Sequence, residues 1–66
     1  MIVILKPEAN DALVKDIVSQ IEGLGLQAHL SRGLFRTVIG VVGEEVKVDP
    51  EHLKSINGVE QVLPIM

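Results

Sequence analysis

The chain contains no cysteine, tryptophan or tyrosine, and its single aromatic residue is Phe35. Without cysteine no disulfide can brace the fold, and the paired thiols of small metal carriers are missing. Two scattered histidines, His29 and His52, do not make a structural zinc site. Positive charge is also scarce: six Lys and Arg face nine Asp and Glu, for a net charge of -3. That balance argues against a nucleic-acid partner, whose phosphate backbone demands clustered cations. No apolar run approaches the roughly 20 residues of a membrane span. A secretory leader needs a charged start, an apolar stretch and a small-residue cleavage site. Met1-Ile2-Val3-Ile4-Leu5 is too short for that and runs at once into Lys6-Pro7, so the expected location is the cytoplasm.

What is present is aliphatic. Of the 66 residues 47% are hydrophobic, most of them Val, Ile and Leu. This length makes one domain, residues 1–66, which buries only about 60% of its unfolded surface. Its core supplies roughly 3–5 kcal/mol of net stability unless something braces it. With disulfides and metal set aside, self-association or packing on a neighbouring domain remains.

Along the chain, Ile2 to Leu5 is a continuous apolar run closed by Pro7, the mark of a strand covered on both faces. Val14, Ile17, Val18 and Ile21 then fall at i, i+3, i+4 and i+7, one stripe of a helix. Asn10 or Asp11 is its N-cap, and Gly23 and Gly25 offer the left-handed residue that ends it. From Leu26 the period changes to two: Leu26, Ala28 and Leu30 point one way, Gln27, His29 and Ser31 the other. Arg32-Gly33 is expected to turn the chain, with Gly33 able to take positive φ, into a second strand from Phe35 to Val42. Gly43-Glu44-Glu45 reads as a loop, with the two glutamates solvated. Asp49-Pro50 reads as an N-cap and first helical residue, Leu53 and Ile56 as the inner side of a short helix, and Asn57-Gly58 as its end. His52 belongs on the surface of that helix. Val59 to Ile65 is the last strand, with Pro64 at a sheet edge.

Strand, helix, strand, strand, helix, strand is the split βαβ, or ferredoxin-like, arrangement. The expected fold is α+β: an antiparallel four-stranded sheet in the order 4-1-3-2, with both helices on one face. The other face would be polar in a domain that lives alone. Here both sides of the first strand are apolar, and in the third Val38 and Val42 oppose Ile39 and Val41. The open face is therefore expected to present Val3, Leu5, Val38 and Val42. An exposed patch of this kind marks an interface, with a second copy or with the rest of a longer chain.

Catalytic chemistry finds no foothold. Ser19, Ser31 and Ser55 have no base arranged for them. Gly23 and Gly25 follow a helix instead of opening one, so they do not cradle phosphate. Phe35 alone cannot supply the stacking aromatics of an RNA-binding sheet. No catalytic residue, cofactor or metal is expected. His29 and Ser31 share the polar face of one strand, either as ordinary exposed residues or as a hydrogen-bonding pair for a small polar ligand. Gly40 marks close approach by another backbone or a ligand.

Three segments in order, Met1-Ile2-Val3-Ile4-Leu5-Lys6-Pro7, Ala28-His29-Leu30-Ser31-Arg32-Gly33 and Arg36-Thr37-Val38-Ile39-Gly40-Val41-Val42-Gly43, resemble the N-terminal ferredoxin-like, ACT-like domain of bacterial and archaeal DAHP (3-deoxy-7-phosphoheptulonate) synthases. The resemblance covers essentially the whole chain, and Val59-Glu60-Gln61-Val62-Leu63-Pro64-Ile65 looks like the run into that family's catalytic barrel. It implies a parent transferase that joins phosphoenolpyruvate to erythrose 4-phosphate, the first step of the shikimate pathway. The catalytic and metal-binding residues would sit in the barrel. It implies a feedback sensor in the small domain, with tyrosine or phenylalanine bound between modules of different subunits. His29 and Ser31 match the effector-contacting positions, and Gly33 and Gly40 are carried over as backbone positions of close approach. The loop Lys6-Pro7-Glu8-Ala9-Asn10 lacks the glycine that ACT domains binding serine-like ligands often place there. The alternatives are a dimerisation module indifferent to ligand and a free-standing ACT-like amino-acid-binding protein.

Overall fold

The first strand decides how everything else is placed, because both of its sides are apolar and only its pairing chooses which turns inward. In the computed structural model, which describes residues 1–43 and 48–64, β1 (Ile2–Leu5) lies between β3 (Thr37–Val42) and β4 (Val59–Leu63), and β2 (Gln27–Arg32) pairs with the far side of β3. All three pairings are antiparallel, and the order β2-β3-β1-β4 is the expected one read from the other edge. Helices α1 (Asp11–Gly23) and α2 (Pro50–Lys54) provide the two crossovers.

The register sets Val3 opposite Ile39 and opposite Val62. Residues directly opposite in a sheet share a face, so Val3 and Leu5 join Ile39 and Val41 under the helices. Val3, Leu5 and Ile39 are 0% exposed. This corrects the sequence-based placement: Val3 and Leu5 are core, and Ile2 and Ile4, both half-buried, occupy the open face instead. The physical reason is register. A slip of one residue exchanges the two sides of a strand, and a run apolar on both sides carries no mark of which side is which.

Helix α1 follows its stripe. Asn10 is the N-cap, its side chain accepting from the Leu13 amide at 2.8 Å. Val14, Ile17 and Ile21 are buried against the sheet and Val18 packs at the edge of the core. Leu24 closes the helix and Gly25, at φ +85°, carries the chain away, whereas Gly23 is still helical.

The β2–β3 hairpin differs from expectation in detail. Arg32 pairs directly with Thr37, leaving a four-residue connection, Gly33 to Arg36, in which the Gly33 amide donates to the Arg36 carbonyl at 2.8 Å. Phe35 is therefore in the turn and 83% exposed, not in the strand. Gly33 does not use its freedom to take positive φ; a Cβ there would stand 2.9 Å from the Arg36 carbonyl oxygen, so tight closure and not handedness favours glycine.

Asp49 caps α2, accepting from the Glu51 amide at 3.0 Å, and Pro50 begins it. Leu53 and, just past the helix, Ile56 are buried. Gly58 then turns at φ +96°, directly beneath α1, into β4. The pairing with β1 shifts between Ile4 and Leu5. Leu5 faces Val59 and Val3 faces Val62, so the bulge lets both valines turn toward the helices although two residues separate them. The expected Glu44-Glu45 loop and the end of the last strand at Ile65 lie outside the described residues.

Candidate functional site

With both helices on one side, the opposite face of the sheet is uncovered, and the register lays it out in rows. One row reads Ser31, Val38, Ile4, Gln61; the next reads His29, Gly40, Ile2, Leu63; and Gln27 stands opposite Val42. The middle is aliphatic and the β2 edge is polar. Val42 is 55% exposed and Leu63 38%, while Ile2, Ile4 and Val38 are half-buried by one another. The band is contiguous and spans three strands.

His29 and Ser31 stand two residues apart on β2, about 7 Å along the strand. Both are exposed, and neither side chain hydrogen-bonds to another described residue. An imidazole and a hydroxyl side by side offer donors and acceptors to a carboxylate, an amine or a phenol. Gly40 lies directly opposite His29. The structure thus brings His29, Ser31, Gly40, Val38 and Val42 onto one surface. Gly33 is not in that group: it lies in the hairpin connection at the end of the sheet. Val3 and Leu5 are on the other side.

Three features were not anticipated from the sequence. Ile2, Ile4 and Leu63 complete the open band, which only the register reveals. Leu34, 91% exposed, and Phe35 project from the hairpin connection. Beside them is a shallow cleft of about 160 Å³, lined by Lys6, Pro7, Gly33, Leu34, Phe35, Arg36 and Thr37. Finally, Arg32 reaches across to α1 and donates to Asp11 at 2.5 Å, and Arg36 pairs with Glu60. The hydrogen bond from Arg32, reinforced by its charge, holds the Asp11 carboxyl below its usual value. Both partners of that bridge are exposed, so the attraction is screened. Among the described residues no group of three or more His, Cys, Asp or Glu is arranged to hold a metal ion, and no described helix is long and apolar enough to cross a membrane.

An antiparallel 4-1-3-2 sheet with two helices on one face defines the chain as a ferredoxin-like α+β domain. Its full length, residues 1–66, matches the family model of the DAHP synthase ferredoxin-like domain. The phospho-2-dehydro-3-deoxyheptonate aldolase of Thermotoga maritima is 35% identical over 66 residues, which is all of this chain and 20% of that protein. The crystal structure of the DAHP synthase of Thermotoga maritima superposes with a TM-score of 0.88 at 34% identity, over 98% of this chain and 19% of that one. The chain belongs to the DAHP synthase ferredoxin-like domain family. It spans about a fifth of the length of these relatives.

Proposed function

We propose that the chain is the regulatory and assembly module of a DAHP synthase. Tyrosine or phenylalanine binds between two modules at His29 and Ser31, draws their open sheet faces together, and so restrains the catalytic barrel of the parent enzyme. That barrel would carry the condensation of phosphoenolpyruvate with erythrose 4-phosphate. The observation that supports this reading best is the open face itself: an aliphatic band flanked on one edge by two hydrogen-bonding side chains without partners among the described residues. Such a surface suits a ligand that is apolar at one end and polar at the other. Feedback by such a ligand is a coupling free energy between pairing and catalysis.

Sedimentation of the chain alone, with tyrosine and with phenylalanine tests it, serine and alanine serving as controls. The expected result is a rise in mass with one aromatic amino acid, absent with the controls and lost in His29→Ala, whose melting temperature stays that of the parent. Unchanged tyrosine and phenylalanine affinity in His29→Ala would refute the assignment. A second reading, pairing without ligand, is favoured by the apolar band of Ile2, Ile4, Val38, Val42 and Leu63. It expects a constant dimer whatever amino acid is added.

A further inference from the structure

The chain has two asparagines, Asn10 and Asn57, in opposite circumstances. Asn10 is occupied: its side-chain oxygen accepts from the Leu13 amide at 2.8 Å as the N-cap of α1, and the next residue, Asp11, bears a side chain that crowds its own amide nitrogen. Asn57 is exposed, its side chain makes no hydrogen bond to another described residue, and glycine follows it. The Gly58 N–H likewise has no acceptor among the described residues. Gly58 is a buried residue, and buried backbone N–H groups are nearly always paired. An unpaired amide nitrogen beside an unengaged carboxamide, with no Cβ on the glycine to crowd the approach, is poised for the side chain to close on the backbone.

That reaction needs only water. The Gly58 nitrogen gives its proton to solvent hydroxide and attacks Asn57 Cγ, forming the N–Cγ bond of a cyclic imide. The Cγ–NH2 bond breaks, and the amino group takes up a proton from water and leaves as ammonia. Water then opens the imide at one of its carbonyl carbons, with no change of oxidation state. Opening at Cγ gives ordinary aspartate. Opening at the Asn57 main-chain carbonyl carbon gives isoaspartate, in which the chain runs through Cβ and Cγ and is one atom longer.

The turn has no room for the longer chain. Gly58 sits at φ +96° under α1, with Leu13 Cδ2 2.7 Å and Ile17 Cδ1 3.0 Å from where a Cβ would stand. The chain is also pinned on both sides: the Lys6 amide donates to the Gly58 carbonyl at 2.8 Å, and the Val59 amide donates to the Ile56 carbonyl at 3.0 Å. The extra atom falls inside the loop closed by the second bond. Gly58 must then move against Leu13 and Ile17, or one of the two bonds must open.

We propose that Asn57-Gly58 is a site of spontaneous deamidation and isomerisation in the folded chain, and that its isoaspartate product uncouples the start of β4 from β1 and α1. The site gives the module a chemical lifetime set at the joint between α2 and β4, independent of any ligand.

The test incubates the folded chain at mildly alkaline pH beside a sample unfolded in urea. Mass spectrometry follows the peptide Ser55 to Met66, released by cleavage after Lys54, and electron-transfer fragmentation separates aspartate from isoaspartate. Asn57 should convert in the folded chain within tenfold of its rate in urea, faster than in mildly acidic buffer, while Asn10 stays intact. Conversion through global unfolding alone would be slower by roughly a hundredfold or more in a domain of this stability. The isoaspartate form, isolated by chromatography, should melt on the order of 10 °C below the parent, whereas Asn57→Asp, with its backbone unchanged, should melt with the parent. Conversion of Asn57 more than tenfold slower than in urea, conversion of Asn10 as fast as Asn57, or an isoaspartate form that melts with the parent would each overturn the proposal. The covalent change is read by mass, so it is measured even where the product unfolds.

Discussion

Ile4 and Leu5 are adjacent aliphatic residues on one strand, and the fold gives them opposite tasks. Leu5 is 0% exposed in the core, so Leu5→Ala removes buried carbon and leaves a cavity, at a cost of about 2–5 kcal/mol. In a domain of this size that is most of the stability. Ile4 is half-buried on the open face. Burying a whole Ile contributes about 1.5–3 kcal/mol, so about two thirds of that is realised in the single module and up to about a third is left for a partner. Replacing Ile4 with Ser should therefore cost the monomer about 1–2 kcal/mol. In a symmetric pair the unrealised third is lost twice, about 1–2 kcal/mol, which weakens dimerisation roughly 5- to 30-fold. Urea denaturation at low concentration reads the first quantity and sedimentation equilibrium the second. The reasoning fails if Ile4→Ser lowers stability as far as Leu5→Ala does and leaves association unchanged, because the two sides of β1 would then have been exchanged.

Two further perturbations act on the scaffold. Gly58 sits at φ +96°, and a Cβ there would stand 2.7 Å from Leu13 Cδ2 and 3.0 Å from Ile17 Cδ1. Left-handed strain of about 1–2 kcal/mol adds to overpacking of about 1–3 kcal/mol, partly offset by the stiffer unfolded chain, so Gly58→Ala should lower the melting temperature by on the order of 10 °C or more. A melting temperature unchanged from the parent would contradict that local geometry. Asp11, whose carboxyl is held below the usual carboxylate value by the Arg32 hydrogen bond and charge, contributes stability that is present above the unfolded pKa and is lost as the pH falls through the lower folded one. The urea midpoints of the parent and Asp11→Asn should accordingly differ slightly at pH 6 and converge toward pH 3, and a gap that widens on acidification would reverse the sign.

The fold was readable because local signals agree with one another. The α1 stripe, the Asn10 and Asp49 caps, Pro50 and the period-two run of β2 each name one element, and six elements in that order leave one economical topology. The parts that escaped are those decided between elements. Whether Val3 or Ile2 faces inward follows from the pairing of β1 with β3, which no residue of β1 records. The start of β3 moved from Phe35 to Thr37 because closure of the hairpin at Arg32 and Thr37 outranks the apolar character of one residue. His29 and Ser31 were legible as a pair because alternation on β2 alone puts them together. Their apolar complement was not, since Ile2, Ile4 and Leu63 arrive from two other strands.

This division has a consequence for control. Five side chains, Ile2, Ile4, Val38, Val42 and Leu63, each retain roughly 0.5–1 kcal/mol of unrealised burial, so a face-to-face pair gains on the order of 5–10 kcal/mol from ten of them. Association itself costs about 4–15 kcal/mol in lost translational and rotational freedom. The two quantities are of one size, so under the proposed function ligand-free pairing is expected to be weak enough for a ligand to tip. A ligand held only by the pair shifts such a balance by about 2.7 kcal/mol when present at 100 times its dissociation constant, close to a hundredfold in the pairing equilibrium. A face with five more aliphatic groups would pair permanently and sense nothing, and a polar face would not pair at all. An intermediate band with a polar edge is what a switch set by a small amphipathic molecule requires, and reciprocity then demands that any mutation loosening the pair, Ile4→Ser included, weaken the ligand in the same proportion.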